Sequence, residues 1–250
     1  MIIEKCIVQS IEKVKSNIFL LKVLSPNIST KGKAGQFCNI KVSENDFPLL
    51  RRPFSIHYIE NESIYFLFDV HGEGTNLLSQ KKIGDIVDII GPLGNGFNIN
   101  EDFETAVLVA GGIGVAPFPL LTKSMVNKSI ITFYGARNSE YIYDKNLLNI
   151  NYSTDDGSIG LKGNVIDLLK INLKNLDKQK IKIFGCGPSP MLKALQIFAN
   201  ENNIKCELAL ESVMACGFGI CQGCPIETVD NNYKLICKDG PVFDAKEIIL

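Results

Sequence analysis

Up to about residue 100 the chain alternates short apolar runs with polar, turn-forming clusters. The runs Ile18 to Leu24, Gln36 to Val42, Ser63 to Val70 and Asp85 to Ile90 are rich in β-branched and aromatic residues and are punctuated by Gly, Pro, Asn and Asp. That pattern predicts the strands of a small antiparallel barrel. One short helix is expected there, from Thr75 to Gln80, and Gly91-Pro92-Leu93-Gly94-Asn95-Gly96-Phe97 reads as the glycine-rich loop that ends the barrel.

From Thr105 the grammar changes. Thr105 to Ala110 is a continuous apolar run, as in a strand covered on both faces, followed by Gly111-Gly112-Ile113-Gly114-Val115-Ala116-Pro117 and a helix with Phe118, Leu121 and Met125 on one face. Strand, glycine turn and helix are the parts of a doubly wound nucleotide-binding unit. Further strands are expected at Ile130 to Tyr134, Tyr152 to Thr154, Lys182 to Cys186 and Cys206 to Leu210. Ser189 is the expected N-cap of the helix after Cys186, with Pro190 at its first position and Met191, Leu195 and Phe198 on its core face.

Ligands of such sheets bind beyond the carboxyl ends of the strands. Gly111, Gly112, Gly114, Asp155 with Asp156, and Cys186-Gly187-Pro188 are therefore expected to converge on one crevice that takes NAD(H). Acidic Asp155 and Asp156 favour a free ribose over a 2′-phosphate, hence NAD over NADP, while Arg137 leaves that choice open. Cys186 reads equally as a thiol near the nicotinamide ring or as a small residue closing its strand.

Composition narrows the class. The 250 residues are 46% hydrophobic and 21% charged with net charge −1, so the chain is globular, has room for two or three small domains, and lacks the basic excess of a nucleic-acid binder. Met1 to Cys6 lacks the apolar core of a signal peptide and no run approaches the ~18 apolar residues of a membrane span, so a cytoplasmic protein with no membrane partner is expected. Thiols stay reduced there, and eight cysteines then point to metal or redox work rather than disulfides.

Four of them, Cys216, Cys221, Cys224 and Cys237, have the spacing C-x4-C-x2-C-x12-C, whose first three members match plant-type 2Fe-2S ferredoxins. Four thiolates must converge on the cluster, and Gly217, Gly219 and Gly223 let the backbone come close and adopt positive φ. Cys237 is expected to arrive from a following hairpin. A structural zinc site is the alternative, although it typically uses two short cysteine knuckles and only one is present. Cys6, Cys38 and Cys206 lie in apolar surroundings and are expected in the core. His57 and His71 form no metal-spacing pair, and no nucleophilic triad, phosphate loop or internal repeat occurs, so no catalytic acid or base is assigned.

On the barrel, Arg52-Pro53-Phe54-Ser55 joins a guanidinium suited to a pyrophosphate with an aromatic ring and a hydroxyl suited to a flavin. His71-Gly72-Glu73-Gly74-Thr75 ends a strand and either presents N–H groups to a phosphate or is a plain turn.

The order of these parts resembles the ferredoxin-reductase superfamily, and within it the electron-transfer subunits of dihydroorotate dehydrogenase B, iron-sulfur flavoproteins of bacterial pyrimidine synthesis. The matching pieces are AGQF from Ala34, LLRRPFSI from Leu49, HGEGT from His71, GPLGNGF from Gly91, TDDGSIG from Thr154, CGPSPML from Cys186, the CGFGICQGC run and CKDGPVF from Cys237. The resemblance implies a multi-domain β plus α/β fold: an antiparallel FAD-binding β-barrel over 1–100, a doubly wound parallel-sheet NAD-binding domain over 101–210 and a small 2Fe-2S domain over 211–250. It implies that Arg52, Pro53, Phe54, Ser55, Leu67, Phe68, Asp69, Gly74 and Thr75 bind FAD and that the four cysteines hold the cluster. It further implies electron transfer between a partner FMN-containing dihydroorotate dehydrogenase catalytic subunit and NAD+, in a heterotetramer of two of each. Two departures stand out: Ala34 where many relatives have Pro, and Pro225-Ile226-Glu227 where Val-Cys-His is commoner. Alternatives are the small subunit of an NADH-dependent ferredoxin:NADP oxidoreductase or of a sulfide dehydrogenase, and a non-enzymatic zinc-binding interaction module.

Overall fold

The structure is a computed structural model and describes residues 1–45, 47–173 and 177–250. Its first sheet begins with β1 (Ile2–Lys13), a strand not anticipated above. Cys6 and Val8 point into the core while Ile3, Lys5 and Ile7 face outward, the alternation of a half-buried strand. Then come β2 (Ile18–Leu24), a one-turn helix α1 (Pro26–Ser29), β3 (Phe37–Lys41), β4 (Arg52–Ser55), β5 (Tyr58–Glu60), β6 (Ser63–Asp69), helix α2 (Glu73–Ser79) and β7 (Ile86–Leu93). All pairings are antiparallel, in the order β4-β3-β7-β1-β2-β6-β5. The sheet curls so that β4 meets β6, with the Phe54 and Phe68 rings 5.4 Å apart. It is an open barrel, and β7 carries the strand through Gly91-Pro92-Leu93, so the loop expected there starts only at Gly94.

The second sheet is built from β8 (Thr105–Gly111), β9 (Ser129–Ala136), β10 (Ile150–Thr154), β11 (Leu161–Lys162), β12 (Ile181–Cys186) and β13 (Lys205–Ala209), all parallel. Its order is β11-β10-β9-β8-β12-β13-β16, where β16 (Val242–Asp244) returns from the C-terminal segment and pairs antiparallel with β13. The chain winds outward from β8 in one direction and then restarts with β12 on the other side. The loops after β8 and β12 therefore flank a topological switch point, where ligands of open α/β sheets bind. Helix α3 (Phe118–Ser124) packs in one core with Ala106, Leu108 and Ala110, while α4 (Val165–Asn172) and α5 (Ser189–Glu201) pack in the other with Val107 and Val109. Two helix details differ from expectation. Met125 lies just past the end of α3, and the residue capping α5 is Pro188, with Ser189 already helical and no side-chain cap. Extended Pro188 cannot continue a helix backward, so the first turn starts after it.

Residues 211–250 contribute a hairpin, β14 (Pro225–Glu227) with β15 (Tyr233–Leu235), as well as β16. Gln196 of α5 donates to the carbonyls of Ala245 and Ile248, both at 2.7 Å, fastening this segment to the parallel sheet. Among the described residues no helix is long and apolar enough to cross a membrane.

Candidate functional site

A groove of about 160 Å³ opens where the barrel meets the C-terminal segment. Pro53, Phe54 and Ser55 of β4, Leu67, Phe68 and Asp69 of β6, and Thr75 of α2 line one side, and Leu210, Ser212 and Met214 line the other. Strands bring them together because β4 closes against β6. Arg52 and Gly74 stand outside this lining but against each other: a Cβ on Gly74 would lie 2.9 Å from Arg52 Nε, so a larger residue there would displace the arginine side chain from its present place. Arg52 Nη1 donates to the Leu50 carbonyl at 2.6 Å. The Thr75 hydroxyl accepts from the His71 and Gly72 N–H groups at 3.2 and 3.3 Å, which ties the turn together from within.

A larger cavity of about 490 Å³ lies at the switch point of the parallel sheet. Gly111, Gly112, Gly114, Arg137, Asp155, Gly187 and Pro188 line it, as expected from their places at strand ends. Gly112 has φ of +54° with open space in front of its missing side chain, whereas a Cβ on Gly114 would collide with the Cys186 carbonyl. Cys186 itself is buried behind this wall and does not line the cavity; burial, and secondarily the charge of Glu211, push its thiol pKa well above the usual range. Asp156 accepts from the Ser158 N–H at 2.9 Å and turns into its own loop, so Asp155 and Arg137 are the charged pair of that corner that faces the cavity.

Groove and cavity adjoin, with Asp69, Ile113 and Glu211 lining both. Glu211 is exposed to the open passage yet crowded by its walls. That crowding raises its pKa, the charge of Asp69 adds to the rise and His71 opposes it. His71 Nδ1 lies 3.2 Å from Asp69 Oδ1. Glu211 is not among the residues the sequence singles out; its available signal is an acidic residue two positions past the end of β13.

Just beyond, the cysteine loop sits against the barrel. The Cys221 N–H donates to Cys216 Sγ at 3.5 Å and the Cys237 N–H donates to Cys224 Sγ at 3.4 Å. The β14–β15 hairpin brings Cys237 back, and the Ile236 N–H donates to the Cys224 carbonyl at 2.9 Å. Burial raises the Cys216 pKa, but N–H groups of Cys221, Phe218 and Ile220 and the Cys221 thiol outweigh it and bring the pKa down to about 6. At Cys237 burial and the neighbouring Cys224 thiol push the value up to about 12. Gly217 and Gly219 have φ of +79° and +92°; Gly223 does not, and Gln222 takes the left-handed conformation at +60° instead. None of the eight cysteines is disulfide-bonded. Among the described residues no three ligating side chains converge on a single-ion position. The thiols instead form two pairs, Cys216 with Cys221 and Cys224 with Cys237, a donor set that suits two irons with two thiolates each.

The family described as the iron-sulfur cluster binding domain of dihydroorotate dehydrogenase B matches residues 211–249. Over 227 residues the chain is 39% identical to the dihydroorotate dehydrogenase B (NAD(+)) electron transfer subunit of Caldanaerobacter subterraneus, spanning 88% of this chain and 89% of that one. The subunit of the same name from Bacillus pumilus is 36% identical over 255 residues, with 97% and 96% covered. Among solved structures, a chain of an NADH-dependent reduced ferredoxin-NADP oxidoreductase superposes with a TM-score of 0.87 at 27% identity, covering 98% of this chain and 90% of that one. A ferredoxin NADP+ reductase from Neisseria gonorrhoeae shares the fold at a TM-score of 0.67 and 16% identity, covering 79% and 91%.

Proposed function

The chain belongs to the electron transfer subunits of NAD+-linked dihydroorotate dehydrogenase B, and from that premise we propose how its parts divide the work. Residues 1–100 hold FAD, residues 101–210 hold NAD(H) and residues 211–250 hold a 2Fe-2S cluster. The observation that carries this reading is the shared lining of groove and cavity by Asp69, Ile113 and Glu211, with the same stretch running on through Met214 to Cys216. A flavin exchanges hydride with a nicotinamide and single electrons with an iron-sulfur cluster, so one passage links two-electron and one-electron chemistry.

The protein's part is orientation. Phe54, Ser55 and the β6 end present the barrel side of the groove to the flavin, and Arg52, braced by Gly74, supplies a cation at its edge for pyrophosphate. Gly111, Gly112 and Gly187 let the NAD pyrophosphate approach the backbone, and Asp155 accepts from a ribose hydroxyl, favouring NAD over NADP. Cys216, Cys221, Cys224 and Cys237 hold the cluster, with Cys221 on the exposed side facing the partner. That partner is an FMN-containing catalytic subunit on which dihydroorotate is oxidised to orotate, in a cytoplasmic complex with two copies of each chain. The high structural similarity to the ferredoxin-NADP oxidoreductase chain supports a second reading, in which a ferredoxin-linked flavoprotein takes that place.

The test is to purify the chain anaerobically with and without the catalytic subunit. We expect about two irons, two labile sulfides and one FAD per chain, and dihydroorotate-dependent reduction of NAD+ only in the complex. Zinc in place of iron, or a complex that reduces NADP+ from ferredoxin but not NAD+ from dihydroorotate, overturns the reading.

A further inference from the structure

Strand β3 touches both ends of the electron route. Phe37 lines the flavin groove, and Asn39, two residues on and therefore on the same face, lies beneath the cysteine loop. Asn39 is 1% exposed. Its Nδ2 donates to the Cys216 carbonyl at 3.1 Å, while its Oδ1 is buried without a hydrogen-bond partner among the described residues. Gly217 lies so close above it that a Cβ there would overlap the Asn39 amide. The other thiol pair has an anchor of its own. Asn95 Nδ2 donates to the carbonyls of Asp239 at 2.9 Å and Lys238 at 3.4 Å, directly after Cys237.

A buried amide with one half unsatisfied is destabilising, a cost that an apolar side chain of equal size avoids. What asparagine adds at this position is the single bond to Cys216. The carbonyl and N–H of one trans peptide point in opposite directions, so holding the Cys216 carbonyl against β3 turns the Gly217 N–H away from it. The Cys221 N–H already bonds to the Cys216 sulfur at 3.5 Å. Peptide orientation in this loop decides how many amides reach the sulfurs, and hydrogen bonds to sulfur tune an iron-sulfur potential.

We propose that Asn39 is a positioning residue that fixes the Cys216–Cys221 half of the cluster loop on the flavin barrel, setting the cluster's electronic environment and its electron exchange with the flavin. The proposal rests on the reading that the four cysteines hold the cluster. It is tested on the full chain, purified anaerobically as wild type, Asn39→Leu and Asn39→Asp. Iron, labile sulfide and FAD are counted, the reduced cluster is examined by electron paramagnetic resonance, its midpoint potential is titrated, and its reduction by NADH is followed by stopped flow.

Asn39→Leu is expected to keep FAD and iron while shifting the resonance and the potential and slowing cluster reduction by roughly tenfold or more, the usual scale for an outer-shell partner. Should Asn39→Leu lose iron or fail to fold, Asn39→Asp, equal in shape but without the amide donor, must show the same displaced resonance and slowed reduction. Iron-loaded Asn39 variants with wild-type spectra, potential and rate overturn the proposal alone. A wild-type chain without iron overturns the cluster assignment and the proposal with it.

Discussion

His57 sits where the barrel meets the parallel sheet, and burial governs its chemistry. The side chain is 2% exposed; its Nδ1 lies 2.8 Å from the Ala116 carbonyl, so the neutral ring carries its proton there and donates it. The Leu120 N–H donates back to the His57 carbonyl at 3.1 Å. Burial pushes the His57 pKa down to about 4; the bond to Ala116 opposes that shift and Lys145 adds slightly to it. An unfolded histidine takes up a proton near pH 6.5, so between about 6.5 and 4 the unfolded chain binds a proton that the folded one refuses. The stability contributed by neutral His57 is complete above pH 6.5 and declines as the pH falls toward 4, by up to about 3 kcal/mol. Urea midpoints measured across that range should fall with pH, and Asn in place of His57 should flatten the slope while lowering stability at pH 7. A slope that is the same in both proteins counts against this account. Nothing local to His57 revealed the role, because the carbonyl it serves is 59 residues away.

At the scale of the element, β12 carries a contradiction in an otherwise apolar strand. Lys182 is 1% exposed, and its Nζ donates to Glu101 Oε1 at 2.7 Å, Glu207 Oε1 at 2.9 Å and the Asn98 carbonyl at 2.9 Å. Glu207 sits on the neighbouring β13, and its other carboxylate oxygen accepts from the Asn98 N–H at 3.0 Å. Asn98 and Glu101 belong to the stretch between β7 and β8, so this cluster pins the connection between the two sheets. Removing one member of a buried ion pair strands the others, at a cost of about 3–5 kcal/mol. Lys182→Met should lower stability by that order in chemical denaturation, and adding Glu207→Leu should recover most of the loss. If the single variant is as stable as wild type, the cluster has no such role. The strand itself was legible despite Lys182, because its remaining residues are apolar or small and it runs into the glycine-proline turn at Gly187-Pro188. β1 was not, since only Cys6 and Val8 of its first eight residues are buried. The three-residue β16 escaped too, because its partner β13 lies far back in the chain.

At the scale of the whole molecule, the sites are assembled by closure that no single stretch announces. The glycine turns, the Arg-Pro-Phe-Ser strand and the cysteine spacing were each readable in place, because glycine freedom and ligand spacing are local properties. The meeting of Asp69 with Glu211 was not, since Asp69 ends β6 of one sheet, Glu211 follows β13 of the other, and their proximity depends on how the sheets dock. The same layering separates two partial reactions. On the proposed assignment of sites, NADH needs only the cavity and the groove to reduce a dye that accepts electrons from flavin, whereas exchange with the catalytic subunit runs through the cysteine loop. Cys221 is the exposed one of the four proposed cluster cysteines and contributes nothing to the groove or cavity lining, so Cys221→Ser should spare the first reaction and remove the second. The expected result is a chain that keeps FAD and its NADH-to-dye rate, loses iron and the cluster spectrum, and no longer supports NAD+ reduction by dihydroorotate when combined with its partner. Retention of that last activity by an iron-free variant would mean that electrons reach the flavin by a route that bypasses the four cysteines.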